Sequence, residues 1–139
     1  MFTLVVPGQP VPQPRVRVST RGGFGRAYTP SRHPIHAYRA AIVAMATGKK
    51  TADGAAVRLV IEAVFARPAS HWTRTGLSKA AKPWPRGDGD NIAKGVADAL
   101  KNAGVYGDDD CVVSWAIDKR YGAKDELPRT VITVTEFAP

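Results

Sequence analysis

Acidic residues are missing from the first third of this chain: residues 1–52 of the 139 contain neither Asp nor Glu. Cysteine is nearly missing as well. Cys111 stands alone, which excludes an internal disulfide and fits a reducing compartment. No apolar run approaches the ~20 residues needed to cross a bilayer, so no membrane partner is expected. The opening Met1-Phe2-Thr3-Leu4-Val5-Val6 is apolar, but it meets Pro7-Gly8 too early and lacks the basic flank of a signal peptide. These absences predict a soluble, cytoplasmic protein. The glycine-rich Arg21-Gly22-Gly23-Phe24-Gly25-Arg26 has neither the lysine nor the length of a phosphate-binding Walker loop, so no nucleotide cofactor is expected.

Basic charge is what the same region has. The net charge is +8, and residues 1–52 hold Arg15, Arg17, Arg21, Arg26, Arg32, Arg39, Lys49 and Lys50. The remaining 87 residues balance twelve bases against twelve acids, so the whole excess sits at the front. A segment of this kind attracts a polyanion through phosphate contacts and counterion release. Arginine favours that use over a merely solvated face, because guanidinium stays charged and binds phosphate through two hydrogen bonds.

The chain is long enough for one domain, 1–139, and its 44% hydrophobic content supports a sizeable core. Residues 2–6 read as a first strand. Residues 8–29, broken by prolines and then glycines, read as a mobile basic arm with room for a brief hairpin. A helix follows, capped by Ser31 or His33 with Pro34 in its first turn, ended by Gly48, and buried along Ile35, Tyr38, Ile42 and Met45. Residues 55–66 alternate like a half-buried strand. Residues 67–89 are irregular. A second helix, about Asn91 to Ala103, has its apolar face at Ile92, Val96, Leu100 and Ala103, and two strands complete the chain. The order β-α-β-α-β-β predicts an α/β (α+β) fold, a mixed sheet with two main helices packed on it.

Candidate chemistry centres on Arg86-Gly87-Asp88-Gly89-Asp90-Asn91. Two carboxylates two residues apart suit Mg²⁺ or Mn²⁺, which take oxygen ligands. The competing reading is that Asp90 caps the second helix, or pairs with Lys94 one turn on. An EF-hand loop is excluded, since Ala93 and Ala99 occupy the positions that require glycine and glutamate. Asp108-Asp109-Asp110 is a second acidic run, either a solvated turn or part of the same site. A helix of this length spans ~20 Å, so the acidic loop must fold back, or complete the site of a second subunit, for the two to meet. Asp118 is a third possibility. Cys111, beside the acids, should have a raised pKa and is no nucleophile. The imidazoles of His33, His36 and His71 lack metal-ligand spacing and are expected in surface or DNA-facing positions. Trp84, beside Pro85 and Arg86, is the aromatic best placed to touch a base.

Taken together, Asp88-Gly89-Asp90-Asn91-Ile92-Ala93-Lys94, Asp98-Ala99-Leu100 and Gly104-Val105-Tyr106-Gly107-Asp108-Asp109 resemble the RusA family of Holliday junction resolvases. Pro7-Gly8-Gln9-Pro10 and Gly25-Arg26-Ala27-Tyr28-Thr29-Pro30 extend the resemblance to the amino-terminal part. It implies a homodimeric, Mg²⁺- or Mn²⁺-dependent endonuclease acting on branched DNA, cutting four-way junctions symmetrically in recombination and repair. By position it makes Asp88, Asp90 and Asp109 the essential acids and metal ligands, with Asp108 as an adjacent acid, and Lys94 the essential lysine. The expected DNA grip is Arg15, Arg17, Arg21, Arg26, Arg86 and Lys101. A prophage origin, and hence a bacterial or phage-infected cell, also fits such a gene. A non-catalytic, structure-selective DNA-binding protein is the alternative.

Overall fold

A computed structural model gives the fold and describes residues 1–14, 17–20, 22–23 and 25–137. Strand β1 (Phe2–Pro7) is followed by a short antiparallel hairpin, β2 (Arg17–Ser19) and β3 (Arg26–Tyr28). Helix α1 (Ile35–Ala46), strand β4 (Ala56–Phe65), helix α2 (Gly89–Asn102), and strands β5 (Val112–Tyr121) and β6 (Arg129–Phe137) complete the chain. The expected order is present, with the hairpin added to it.

The main sheet runs β1-β6-β4-β5. Strands β1 and β4 flank β6 antiparallel, while β5 lies parallel to β4. Parallel neighbours need a crossover, and residues 66–111, including α2, provide it. Alternation then decides which side each strand buries. Val57, Leu59, Ile61 and Ala63 of β4 face the helices, as do Ile132 and Val134 of β6, and all are essentially inaccessible. They form one core with Ile35 and Ile42 of α1 and Ile92, Val96 and Leu100 of α2. The opposite face is open to solvent and carries Glu62, Arg120, Glu126 and Arg129 in an ion-pair network.

Several details depart from the sequence reading. Met45 is 45% exposed and Ala46 is buried instead, because a straight α-helix returns to the same side after eleven residues, Ile35 to Ala46. Pro34, expected in the first turn of α1, immediately precedes the helix, and of the two cap candidates His33 bonds to it, its Nδ1 accepting the Ile35 N–H at 3.0 Å. His71 is not at the surface. It is 6% exposed, packed edge-on against Tyr121, while the Arg67 guanidinium lies 4.4 Å above the same ring. These three side chains tie the start of the 67–88 segment to the end of β5.

The proline-rich start of the arm is docked. Pro10 is buried, and Gln13 N–H donates to the Asn91 carbonyl at 3.1 Å. Ala103, expected on the apolar face of α2, is only half-buried.

Candidate active site

The α2 helix begins two residues earlier than the apolar pattern suggests, at Gly89, and this changes the roles of both aspartates. Asp88 occupies the capping position with extended backbone angles (φ −80°, ψ 131°), but its side chain makes no capping hydrogen bond. Its carbonyl instead accepts the Asn91 and Ile92 N–H groups. Asp90 lies inside the first turn, where a carboxylate suits the positive end of the helix dipole. Capping therefore accounts for neither carboxylate. Among the described residues neither forms an ion pair, and both are exposed. Lys94, one turn on, is also exposed and unpaired among those residues.

The approach to these acids is built from backbone. Gly87 has φ +100°, and a Cβ there would lie 2.6 Å from the Pro12 ring, so glycine is required on both conformational and steric grounds. Gly89 rests on the Ile117 side chain, which a Cβ would meet at 3.5 Å.

Helix length separated Asp90 from the second acidic run in sequence, and the loop after α2 closes that gap. Gly104, at φ +80°, ends the helix, and Val105 N–H reaches back to the Leu100 carbonyl at 3.0 Å. Tyr106 then turns under the helix: its ring is 5% exposed and its hydroxyl donates to the Ala97 carbonyl at 2.8 Å. The chain thus runs backwards along α2, and Asp109 to Cys111 form a single 3-10 turn beside it. As a result Asp90, Lys94 and Asp109 border one cavity of about 370 Å³, floored by Ala93, Ala97, Trp115 and Ile117. The small side chains of Ala93 and Ala97 leave that volume open. No second subunit is needed to bring Asp90 and Asp109 to the same cavity.

The acidic run divides between two surfaces. Asp109 faces the α2 cavity, whereas Asp108 and Asp110 line a separate cavity of about 450 Å³ formed with residues 51–56. The two neighbouring carboxyls are unequal: the side chain of Asp109 and then the Lys101 charge hold the Asp108 carboxyl below its ordinary pKa, whereas the Asp108 side chain pushes Asp109 above it. Burial and the charges of Asp108 and Asp98 push Asp109 the same way. Asp109 thus carries negative charge that its surroundings only partly compensate.

Other expected residues fall elsewhere. Lys101 pairs with Asp108 at 3.6 Å. Arg86 and Trp84 are exposed on the segment before Asp88, with Trp84 at 68%. Asp118 follows Ile117 on β5, so its side chain belongs to the opposite face of the strand and does not line the cavity. Cys111 is half-buried, and burial followed by the Asp110 charge pushes its thiol pKa up. Arg15 and Arg21 lie outside the described residues, and only the backbone is described at Arg17 and Arg26. Trp115 escaped the sequence reading as a site residue. Its alternation with Val113 and Ile117 looks like a core face, yet β5 is an edge strand and leaves Trp115 44% exposed.

A sequence model of the endodeoxyribonuclease RusA family matches residues 7–135, nearly the whole chain. The chain belongs to the RusA endodeoxyribonuclease family. Curated proteins give no match. Membership in the RusA family supports DNA cleavage as the activity. The RusA match also spans Asp88, Asp90, Lys94 and Asp109, so the acids around the α2 cavity lie within the shared domain.

Proposed function

We propose that this chain is a divalent-metal-dependent endonuclease that resolves four-way DNA junctions by paired, symmetric phosphodiester hydrolysis. The observation that carries the proposal is the convergence of Asp90, Lys94 and Asp109 on one cavity in a chain of this family. The donor set suits a hard cation: it consists of carboxylates, two of them, Asp90 and Asp109, at one cavity and a third, Asp88, two residues before Asp90. Among the described residues no three His, Cys, Asp or Glu side chains form a ready metal cluster. Mg²⁺ commonly takes only one or two carboxylates and keeps waters for substrate phosphates, and Mn²⁺ accepts the same oxygen ligands, so the pair is adequate.

Asp88, Asp90 and Asp109 would hold the metal, with Asp108 adjacent. When bound, a cation of this kind makes water a stronger nucleophile and neutralises charge on the scissile phosphate. Lys94 supplies positive charge to the same cavity, where it stabilises negative charge developing on the phosphate oxygens. A cation beside Asp109 would offset the charge of the carboxylates that neighbour it. Arg86, on the exposed segment before Asp88, grips the DNA backbone together with Arg15, Arg17, Arg21 and Arg26. Lys101 contributes to the field after its partnership with Asp108. A homodimer would carry two such sites related by a two-fold axis, which matches paired cuts in opposed strands.

Incubation of a labelled synthetic four-way junction with the protein in Mg²⁺ or Mn²⁺ tests the reading. Expected are symmetric nicks that EDTA abolishes and that Asp90→Asn removes, with junction binding retained. Tight binding without cleavage in either metal would favour a non-catalytic, structure-selective DNA-binding protein.

A further inference from the structure

The segment carrying Asp88 has little regular structure of its own, and the neighbouring strand holds it in place. Lys119 of β5 sends its ammonium to two backbone carbonyls on that segment. It donates to Pro85 at 2.9 Å and to Gly87 through a shorter hydrogen bond. These carbonyls flank Arg86 and end one residue before Asp88. Two residues earlier on the same strand face, Ile117 lies under Gly89. Strand β5 therefore supports both sides of the turn, by charge-assisted hydrogen bonds at Pro85 and Gly87 and by apolar contact at Gly89.

We propose that Lys119 is a positioning residue for the catalytic turn 86–90, acting through the Pro85 and Gly87 carbonyls rather than on DNA. An ammonium has three N–H donors and no acceptor, so it can bind two carbonyls at once, which an apolar side chain of similar length cannot. Gly87, one of two glycines in the turn and the one at positive φ, also has more backbone freedom to lose than a residue with a side chain. Fixing its carbonyl fixes the direction in which Asp88 leaves, and with it the first turn of α2 that presents Asp90. Supporting bonds of this sort around metal ligands are worth 10- to 100-fold in metal affinity or activity in other sites.

The proposal rests on the functional reading above, and the test separates the two. Lys119→Met and Lys119→Arg are compared with wild type and with Lys124→Met, a control at an exposed lysine outside the site. Hydrogen exchange is read at the Asn91 and Ile92 amides, which donate to the Asp88 carbonyl. Mn²⁺ binding and junction cleavage are measured alongside. In Lys119→Met these amides are expected to exchange at least tenfold faster. Mn²⁺ should bind about 10- to 100-fold more weakly, and kcat should fall by a similar factor with KM for the junction within about twofold. Lys119→Arg, which retains N–H donors, should recover most of each effect, whereas a space-filling role would be met by methionine.

Unchanged exchange in Lys119→Met, or a loss that Lys119→Arg does not reduce, overturns the proposal. If Lys119→Met does not fold, Lys119→Gln is expected to show the same ordering against Lys119→Arg, and equal exchange in those two variants overturns it. If the wild type cuts no junction, the functional reading falls, and the exchange comparison alone decides the role of Lys119.

Discussion

Removing one oxygen atom, in Tyr106→Phe, tests how the site is assembled. The Tyr106 hydroxyl donates to the Ala97 carbonyl at 2.8 Å, beneath the cavity that Asp109 borders. Burial, followed by the nearby Cys111, Asp109 and Asp98, pushes its pKa well above the ordinary value of 10.0, so it is a neutral donor throughout the working pH range. Phenylalanine keeps the ring and its packing and loses only the hydrogen bond. The Ala97 carbonyl lies within α2 and still has the helix bond available to it, so no buried acceptor is orphaned. The expected cost is then the net value of one hydrogen bond, about 1 kcal/mol. For a chain of this length that is about 3 °C in the unfolding midpoint. Function should suffer more than stability. The bond holds the loop that returns Asp109 to Asp90, and misplacing a reacting group by ~1 Å can cost ~100-fold. At a temperature where both proteins are folded, junction cleavage should fall by roughly tenfold, with DNA binding intact. Thermal unfolding followed by circular dichroism, with single-turnover cleavage of a labelled junction, measures both quantities. A variant that loses the expected stability yet cleaves at the wild-type rate would refute the idea that this bond positions Asp109.

Other perturbations probe separate parts of the molecule. Gly87→Ala introduces a Cβ where φ is +100° and Pro12 lies 2.6 Å away, and chemical denaturation should show a loss of about 1–3 kcal/mol together with reduced cleavage. Replacing Arg15 and Arg17 by Gln should weaken junction binding and flatten the plot of log affinity against log salt by about one unit per lost phosphate contact; an unchanged slope would remove the arm from the DNA interface. Glu126 accepts hydrogen bonds from Arg120 foremost, then from the Ala123 N–H and Arg129, and these hold its carboxyl well below the ordinary 4.5. Because the folded pKa is depressed, this stabilisation is present above about pH 4.5 and is lost as pH falls below it. Glu126→Gln should therefore unfold at lower temperature than wild type at pH 7, and the gap should narrow in acid.

Much of the fold was legible because buried apolar periodicity is a local signal. The alternation at Val57, Leu59, Ile61 and Ala63 marked β4, and Ile92, Val96 and Leu100 marked α2, before any contact between them was known. The resemblance singles out Asp88, Asp90, Asp109 and Lys94 by their spacing, and of these Asp90, Lys94 and Asp109 border one cavity. Errors arose where burial depends on neighbours distant in sequence. His71 reads as a surface or DNA-facing imidazole, yet it is buried against Tyr121 beside Arg67; Trp115 reads as core or interface, and its place on an edge strand leaves it exposed at the cavity.

The sequence by itself determined the elements, the excess of positive charge at the front and the set of acids available for chemistry. It could not determine that the loop following a 14-residue helix would return Asp109 to a cavity along the first half of that helix. That depended on a glycine stop, a tyrosine hydroxyl bound to Ala97, and the parallel placement of β5, which brings Ile117 and Lys119 under the Asp88 turn. The physical reason is range. Periodicity records what each residue needs from its immediate surroundings, whereas a site that joins residues twenty positions apart exists only once packing has chosen how the chain turns back.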